Sequence, residues 1–218
     1  MVIGGTSVTS PDGARLTYRR RPDEPVALVL TLHGGQAWGT EPTSWRQASV
    51  LRVMPFTREL ARAGRGGIAV AHLRYAVRGW NAHGDPLRDA RWALAQIDVA
   101  HPGLPIGLVG YSMGGRVALH LAGECRAQVL VTLAAWVEPA EIPSWRPCPG
   151  LTALMMHGSA DQVTDPAGTQ LAAAALRQGG AGVEVEIVPG DTHTLLRRPT
   201  YWHRRVSDFV VGNLSSTR

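Results

Sequence analysis

Apolar positions along the chain follow two rhythms that alternate. The stretches "VALVLTLHGG" (26–35), "GIAVAHLRY" (67–75), "PIGLVGYS" (105–112), "AQVLVTLAAW" (127–136) and "LTALMMHGS" (151–159) are aliphatic almost without interruption. Apolar runs this short, rich in β-branched residues, predict strands buried on both faces of a sheet. "ARLTYRRR" (14–21) and "VEVEIVP" (183–189) alternate apolar with polar and also read as strands, the first after the hairpin turn "SPDG". Between these runs the spacing becomes helical. "TRELARAG" (57–64) predicts a helix with Thr57 as N-cap and Gly64 as its stop. "DPLRDARWALAQIDVA" (85–100) predicts another, with Asp85 as cap and Pro86 in the first helical position. "MGGRVALHLAGE" (113–124), "DPAGTQLAAAALRQGG" (165–180, capped by Asp165) and "YWHRRVSDFVVGNL" (201–214) complete the helices.

Strands alternating with helices predict an α/β fold, a mostly parallel central sheet flanked by helices on both faces. A chain of 218 residues suffices for one such domain and is short for two. No repeat, linker or low-complexity segment divides it, so residues 1–218 read as a single domain.

Composition narrows the function classes. The longest apolar runs fall far below the roughly 18 residues of a membrane span, so no membrane partner is expected. The start, "MVIGGTSVTSPDG", has neither the basic nor the apolar region of a signal peptide. Cys125 and Cys148, without CxxC spacing, read as two reduced thiols of a cytoplasmic protein. All 22 basic residues are arginine, which excludes a phosphate-binding loop built on lysine and any Schiff-base chemistry. The net charge of +5 is scattered and not gathered into a stripe, so a solvated surface is expected and no nucleic-acid partner. None of the eight histidines stands in a metal-ligand spacing, and neither a metal nor a cofactor is expected.

The candidate chemistry starts at Gly110-Tyr111-Ser112-Met113-Gly114, which fits the G-x-S-x-G nucleophile elbow between a strand and a helix. A parallel sheet gathers groups at the carboxyl ends of its strands. Asp161 and His193 follow two later strands, in the chain order Ser, Asp, His that the elbow requires. A serine hydroxyl is a poor nucleophile until an imidazole takes its proton, and a carboxylate fixes the tautomer of that imidazole. Ser112 is thus the expected nucleophile, His193 the base and Asp161 the acid. An oxyanion hole needs two N–H donors. Met113 is expected to supply one, and the "HGGQ" loop, through Gly35 or Gln36, the other.

Other candidates read more plainly. Glu138 and Glu141 offer an alternative acid after strand 127–136, but "HGSADQVT" has the form of an acid loop. His33 and His157 read as loop braces, Asp191 as a turn residue, and Trp38 and Trp80 as packing. The segment "VEPAEIPSWRPCPG" (137–150) carries too many prolines for a helical lid.

The motifs "LHGG", "GYSMGG", "HGSADQVT" and "GDTH" resemble those of the α/β-hydrolase superfamily over nearly the whole chain, and within it the small lidless esterase-like and dienelactone-hydrolase-like members. The resemblance implies a serine hydrolase acting on a small-molecule carboxylic ester or thioester through an acyl-enzyme. True dienelactone hydrolases use a cysteine nucleophile, so their substrate does not carry over. Acyl transfer or lyase chemistry with the same residues is the alternative, and a catalytically silent binding module a more distant one.

Overall fold

The computed structural model describes residues 7–64, 67–124, 126–147 and 149–215. Cys125 and Cys148, on which the expectation of free thiols rests, lie outside the described residues, as does the extreme N-terminus. In chain order the elements are β1 (Ser7–Thr9), β2 (Arg15–Arg20), β3 (Ala27–Leu32), α1 (Ala48–Ala63), β4 (Ile68–Arg74), α2 (Asp85–Ala100), β5 (Ile106–Tyr111) and α3 (Met113–Leu121). They continue with β6 (Ala127–Leu133), a 3₁₀ turn (Pro139–Ser144), β7 (Thr152–Gly158), α4 (Pro166–Gln178), β8 (Gly182–Val188) and α5 (Pro199–Ser215).

The strands form one eight-stranded sheet in the order β1-β2-β4-β3-β5-β6-β7-β8. β1 and β2 pair antiparallel as a hairpin, and β2 lies antiparallel on β4. From β4 to β8 every pairing is parallel. Side chains alternate across the sheet as a strand requires. Leu28, Leu30 and Leu32 of β3 join the core beneath α2, α3 and α4, while Ala27 and Val29 join the core beneath α1 and α5. Both faces are therefore dry, which is why the parallel strands read as unbroken apolar runs. Fully burying one such aliphatic side chain is worth about 1.5–3 kcal/mol.

Two helix starts differ from expectation. α1 begins at Ala48, and Pro55 lies inside it. A proline there removes one helical hydrogen bond, but Val50 and Val53 before it and Phe56 and Leu60 after it are all buried, so packing holds both turns in line. Thr57 is consequently not a cap. Its hydroxyl donates to the Val53 carbonyl (3.2 Å) and lies 2.9 Å from that of Thr31. At α2 the cap is Gly84, in the left-handed region at φ 64°, and Asp85 is already helical with Pro86 behind it. Asp165 caps α4 as expected, accepting from the Ala167 N–H at 2.8 Å.

Between β6 and β7 the six-residue 3₁₀ turn is the helical element among the described residues, so no helical lid covers the carboxyl edge of the sheet. Glu141 in this turn is held by a two-pronged pair to Arg116 (2.8 and 2.6 Å) and by His120 (2.9 Å). Among the described residues no helix is long and apolar enough to cross a membrane.

Candidate active site

β5 ends at Tyr111, and Ser112 makes the turn into α3 with φ 54° and ψ −118°. A serine in this region carries backbone strain of about 1–3 kcal/mol. The surroundings enforce it. The Ser112 N–H donates to the Leu133 carbonyl (2.9 Å), and its own carbonyl accepts from Gly115, Arg116 and Trp136. The turn is so tight that a Cβ on Gly110 would run into the Gly114 carbonyl, and one on Gly114 into that of Leu32. Both elbow glycines are there for close approach of backbone. The strained turn leaves the Ser112 hydroxyl at the carboxyl edge of the sheet.

Asp161 and His193 stand on adjacent loops, after β7 and β8. The two loops are sewn together: Ser159 N–H donates to Val188, Ala160 N–H to Asp191, and Gly190 N–H to the Ser159 hydroxyl. Asp191 anchors the second loop as the expected turn residue. Its buried carboxylate accepts from the Trp202 indole of α5 (2.7 Å) and from the Thr192 N–H (2.9 Å).

These supports bring the three residues into one chain of hydrogen bonds. Ser112 Oγ lies 3.1 Å from His193 Nε2, and His193 Nδ1 lies 2.8 Å from Asp161 Oδ2. A carboxylate can only accept, so Nδ1 bears the imidazole proton and Nε2 is free to accept from Ser112. Asp161 also accepts at Oδ1 from the N–H groups of Val163 (2.8 Å) and Thr164 (3.1 Å). Burial alone would raise its carboxyl, but these donors and His193 outweigh burial and hold it below the ordinary 3.8. An ionised acceptor results. Tyr111 supports the same loop from beneath: its hydroxyl donates to the His193 carbonyl at 3.1 Å, and burial pushes that hydroxyl up to about 12.

The loop after β3 approaches the elbow from the other side. A Cβ on Gly34 would lie 3.2 Å from the Ser112 Cβ, and one on Gly35 would collide with the Met113 side chain and the Arg78 carbonyl. The Gly35 N–H has no partner among the described residues. Met113 opens α3, where the first N–H groups have no helical acceptor. Gln36 corrects one expectation: its N–H donates to the Arg78 carbonyl (3.1 Å), so it is no free donor. That bond belongs to a seam in which Trp80 and Asn81 N–H groups donate to Gln36 and Ala37.

The remaining candidates fall into place. His33 is buried, accepts from the Tyr75 N–H at Nε2 (3.2 Å) and donates from Nδ1 to Gly34 (2.6 Å), a brace as expected. Burial lowers it to about 4, so it stays neutral. Trp80 packs against the Arg116 guanidinium, whose central carbon lies 3.9 Å from the ring centre. Trp38 does not pack: it is 70% exposed. Glu141 is committed to Arg116 and His120, away from His193. His157 braces more than its loop. It reaches Asp161 itself at 3.0 Å, a contact whose sequence signal was the four-residue step from His157 to Asp161. Among the described residues no group of three or more His, Cys, Asp or Glu side chains could hold a metal ion.

Comparisons with known proteins bear on the family and the fold. The sequence profile of the dienelactone hydrolase family matches residues 83–204, more than half of the chain. No curated protein matches. A lidless α/β serine hydrolase from Xanthomonas campestris is 20% identical with a TM-score of 0.70, covering 96% of this chain and 94% of that one. An acetyl ester-xyloside bifunctional hydrolase from Caldicellulosiruptor lactoaceticus is 18% identical with a TM-score of 0.71, covering 99% and 97%. An esterase from Pyrococcus furiosus is 14% identical with a TM-score of 0.67, covering 96% and 92%. These structures share the fold, and the profile spans both the elbow and the acid and histidine loops. The chain belongs to the dienelactone hydrolase family and is a hydrolase of the α/β type.

Proposed function

We propose that the protein is a serine hydrolase that cleaves a small carboxylic ester, or a thioester by the same steps, through an acyl-enzyme on Ser112. The observation that carries this reading is the unbroken chain from Ser112 Oγ to His193 (3.1 Å) and from His193 to Asp161 (2.8 Å). Ser112 Oγ attacks the substrate carbonyl carbon while its proton passes to His193 Nε2. Asp161 keeps the Nδ1 proton and stabilises the imidazolium. The carbonyl oxygen, now negative, lies against the N–H groups of Met113 and Gly35, each worth about 3 kcal/mol in the transition state. His193 then protonates the leaving alcohol or thiol as its bond to carbon breaks. Water repeats the attack with His193 as base, releasing the acid and restoring Ser112.

The Caldicellulosiruptor protein is described as acting on an acetyl ester and the Pyrococcus protein as an esterase, which favours an ester substrate here. A panel of chromogenic acyl esters and acyl thioesters, with Ser112→Ala as the blank, tests the proposal. Turnover on at least one acyl class that vanishes in the variant supports it. Equal rates in both proteins would refute it.

A further inference from the structure

We infer that His157 is a positioning residue for this reaction: from β7 it donates to the same Asp161 oxygen that His193 uses, and so limits how tightly that carboxylate holds the His193 imidazolium. The inference rests on the reading of Ser112, His193 and Asp161 as the reacting set.

The geometry fixes what His157 can do. Its side chain is fully buried, on the α4 face of the sheet. Its Nε2 lies 3.0 Å from Asp161 Oδ2 and 3.2 Å from the Thr164 carbonyl, both of which only accept. Nε2 therefore carries the proton. Nδ1 lies 2.7 Å from the Thr169 hydroxyl of α4, which donates to it and locks that tautomer. With both nitrogens engaged and no exposed edge, His157 has no route to substrate and does not act as a base. Burial, set against the attraction of Asp161, lowers its proton affinity, so it remains a neutral donor.

A neutral donor on Oδ2 draws off negative charge without adding a positive one. Asp161 then serves two imidazoles at one oxygen, with the Thr164 hydroxyl 3.0 Å from the same atom. A carboxylate shared in this way stays ionised and fixed in orientation, yet attracts protonated His193 less strongly than an unshared one. Titratable groups on this side include Tyr111, whose ring lies 5.2 Å from that of His193, and Arg52 beside the Tyr111 hydroxyl. Neither is among the polar partners of His157, which are Asp161, Thr164 and Thr169.

Two substitutions separate the His157 contacts. His157→Gln keeps an N–H where Nε2 stood, and His157→Asn keeps a polar group opposite Thr169 but loses the donor to Asp161. The readouts are the kcat/KM profile against pH and the His193 ring resonance followed by NMR across the same range. The expected result is that Asn moves the acid limb and the His193 titration upward by about half a pH unit or more, and that Gln restores both. Thr169→Val, which removes the hydroxyl that holds the ring in place at Nδ1, is expected to move them the same way by less, and it carries the test if the Asn variant does not fold. Superimposable titrations in wild type and the Asn variant, or in wild type and Thr169→Val should Asn not fold, would overturn the inference, as would equal shifts in Asn and Gln. The NMR titration needs no turnover. A Ser112→Ala protein that still hydrolyses ester therefore counts against the proposed function alone.

Discussion

In the proposed reaction Ser112 is the nucleophile, held by its neighbours in a conformation serine disfavours, so its removal should cost rate and not fold. Ser112→Ala is expected to lower kcat by about 10³-fold or more, since members of such a set act as a unit, with an unchanged thermal midpoint. His193→Ala should match it and Asp161→Asn should lose somewhat less. Glu138→Gln should stay near wild type, and a loss there larger than that of Asp161→Asn would move the acid to the loop after β6. Gly35 gives a second test at this scale. A Cβ at that position meets the Met113 side chain and the Arg78 carbonyl, so the loop must shift and take its N–H with it. Gly35→Ala is expected to lower kcat by about 10²-fold, the loss typical of a misplaced oxyanion donor, with KM little changed. A variant as fast as wild type would remove Gly35 from the oxyanion hole.

At the scale of elements, β3 and β4 carry a second network that makes a pH prediction. His33 and His72 are buried, and burial lowers them to about 4 and about 3 from the ordinary 6.5. Both are neutral in the folded protein but take up protons once unfolded. The stability this contributes is fully present above pH 6.5 and is lost as the pH falls toward the folded values. Two such groups give a slope of about 3 kcal/mol per pH unit. Urea midpoints measured at pH 6.5, 5.5 and 4.5 should fall steeply, and His72→Asn should roughly halve the slope. A flat series would refute the account of this network.

Much of this architecture was legible in the chain. Unbroken apolar runs gave β3 to β7 because parallel strands are dry on both faces, and the elbow gave Ser112 because Gly110 answers to Gly114 four residues on, although Gly114 itself answers to Leu32 of distant β3. α1 was legible only from Thr57 onward, since Pro55 argues locally for a break and its compensation is packing against distant strands. The choice between Gly35 and Gln36 turned on a bond to Arg78 in another loop. His157 showed its glycine neighbour in sequence but not Thr169, which only the packing of α4 on β7 brings near.

For the whole molecule, the decisive feature is that no helical lid stands between β6 and β7 among the described residues. Among those residues the segment holds one short turn, pinned to α3 through Glu141. Short-acyl esters should therefore be turned over faster than long-chain ones. Rates on triglyceride should show no jump as the substrate passes its solubility limit; a jump would mean a closing element exists after all. The central claim is that an acyl group rests on Ser112 during turnover, and intact-mass analysis of acid-quenched protein, followed by peptide mapping, tests it most directly. Quenched during reaction with a chromogenic acetate ester, the protein should gain the mass of one acetyl group on the peptide containing Ser112, and the Ser112→Ala protein should gain none. Steady release of product with no acyl adduct on Ser112, or with the adduct on another residue, would contradict the account.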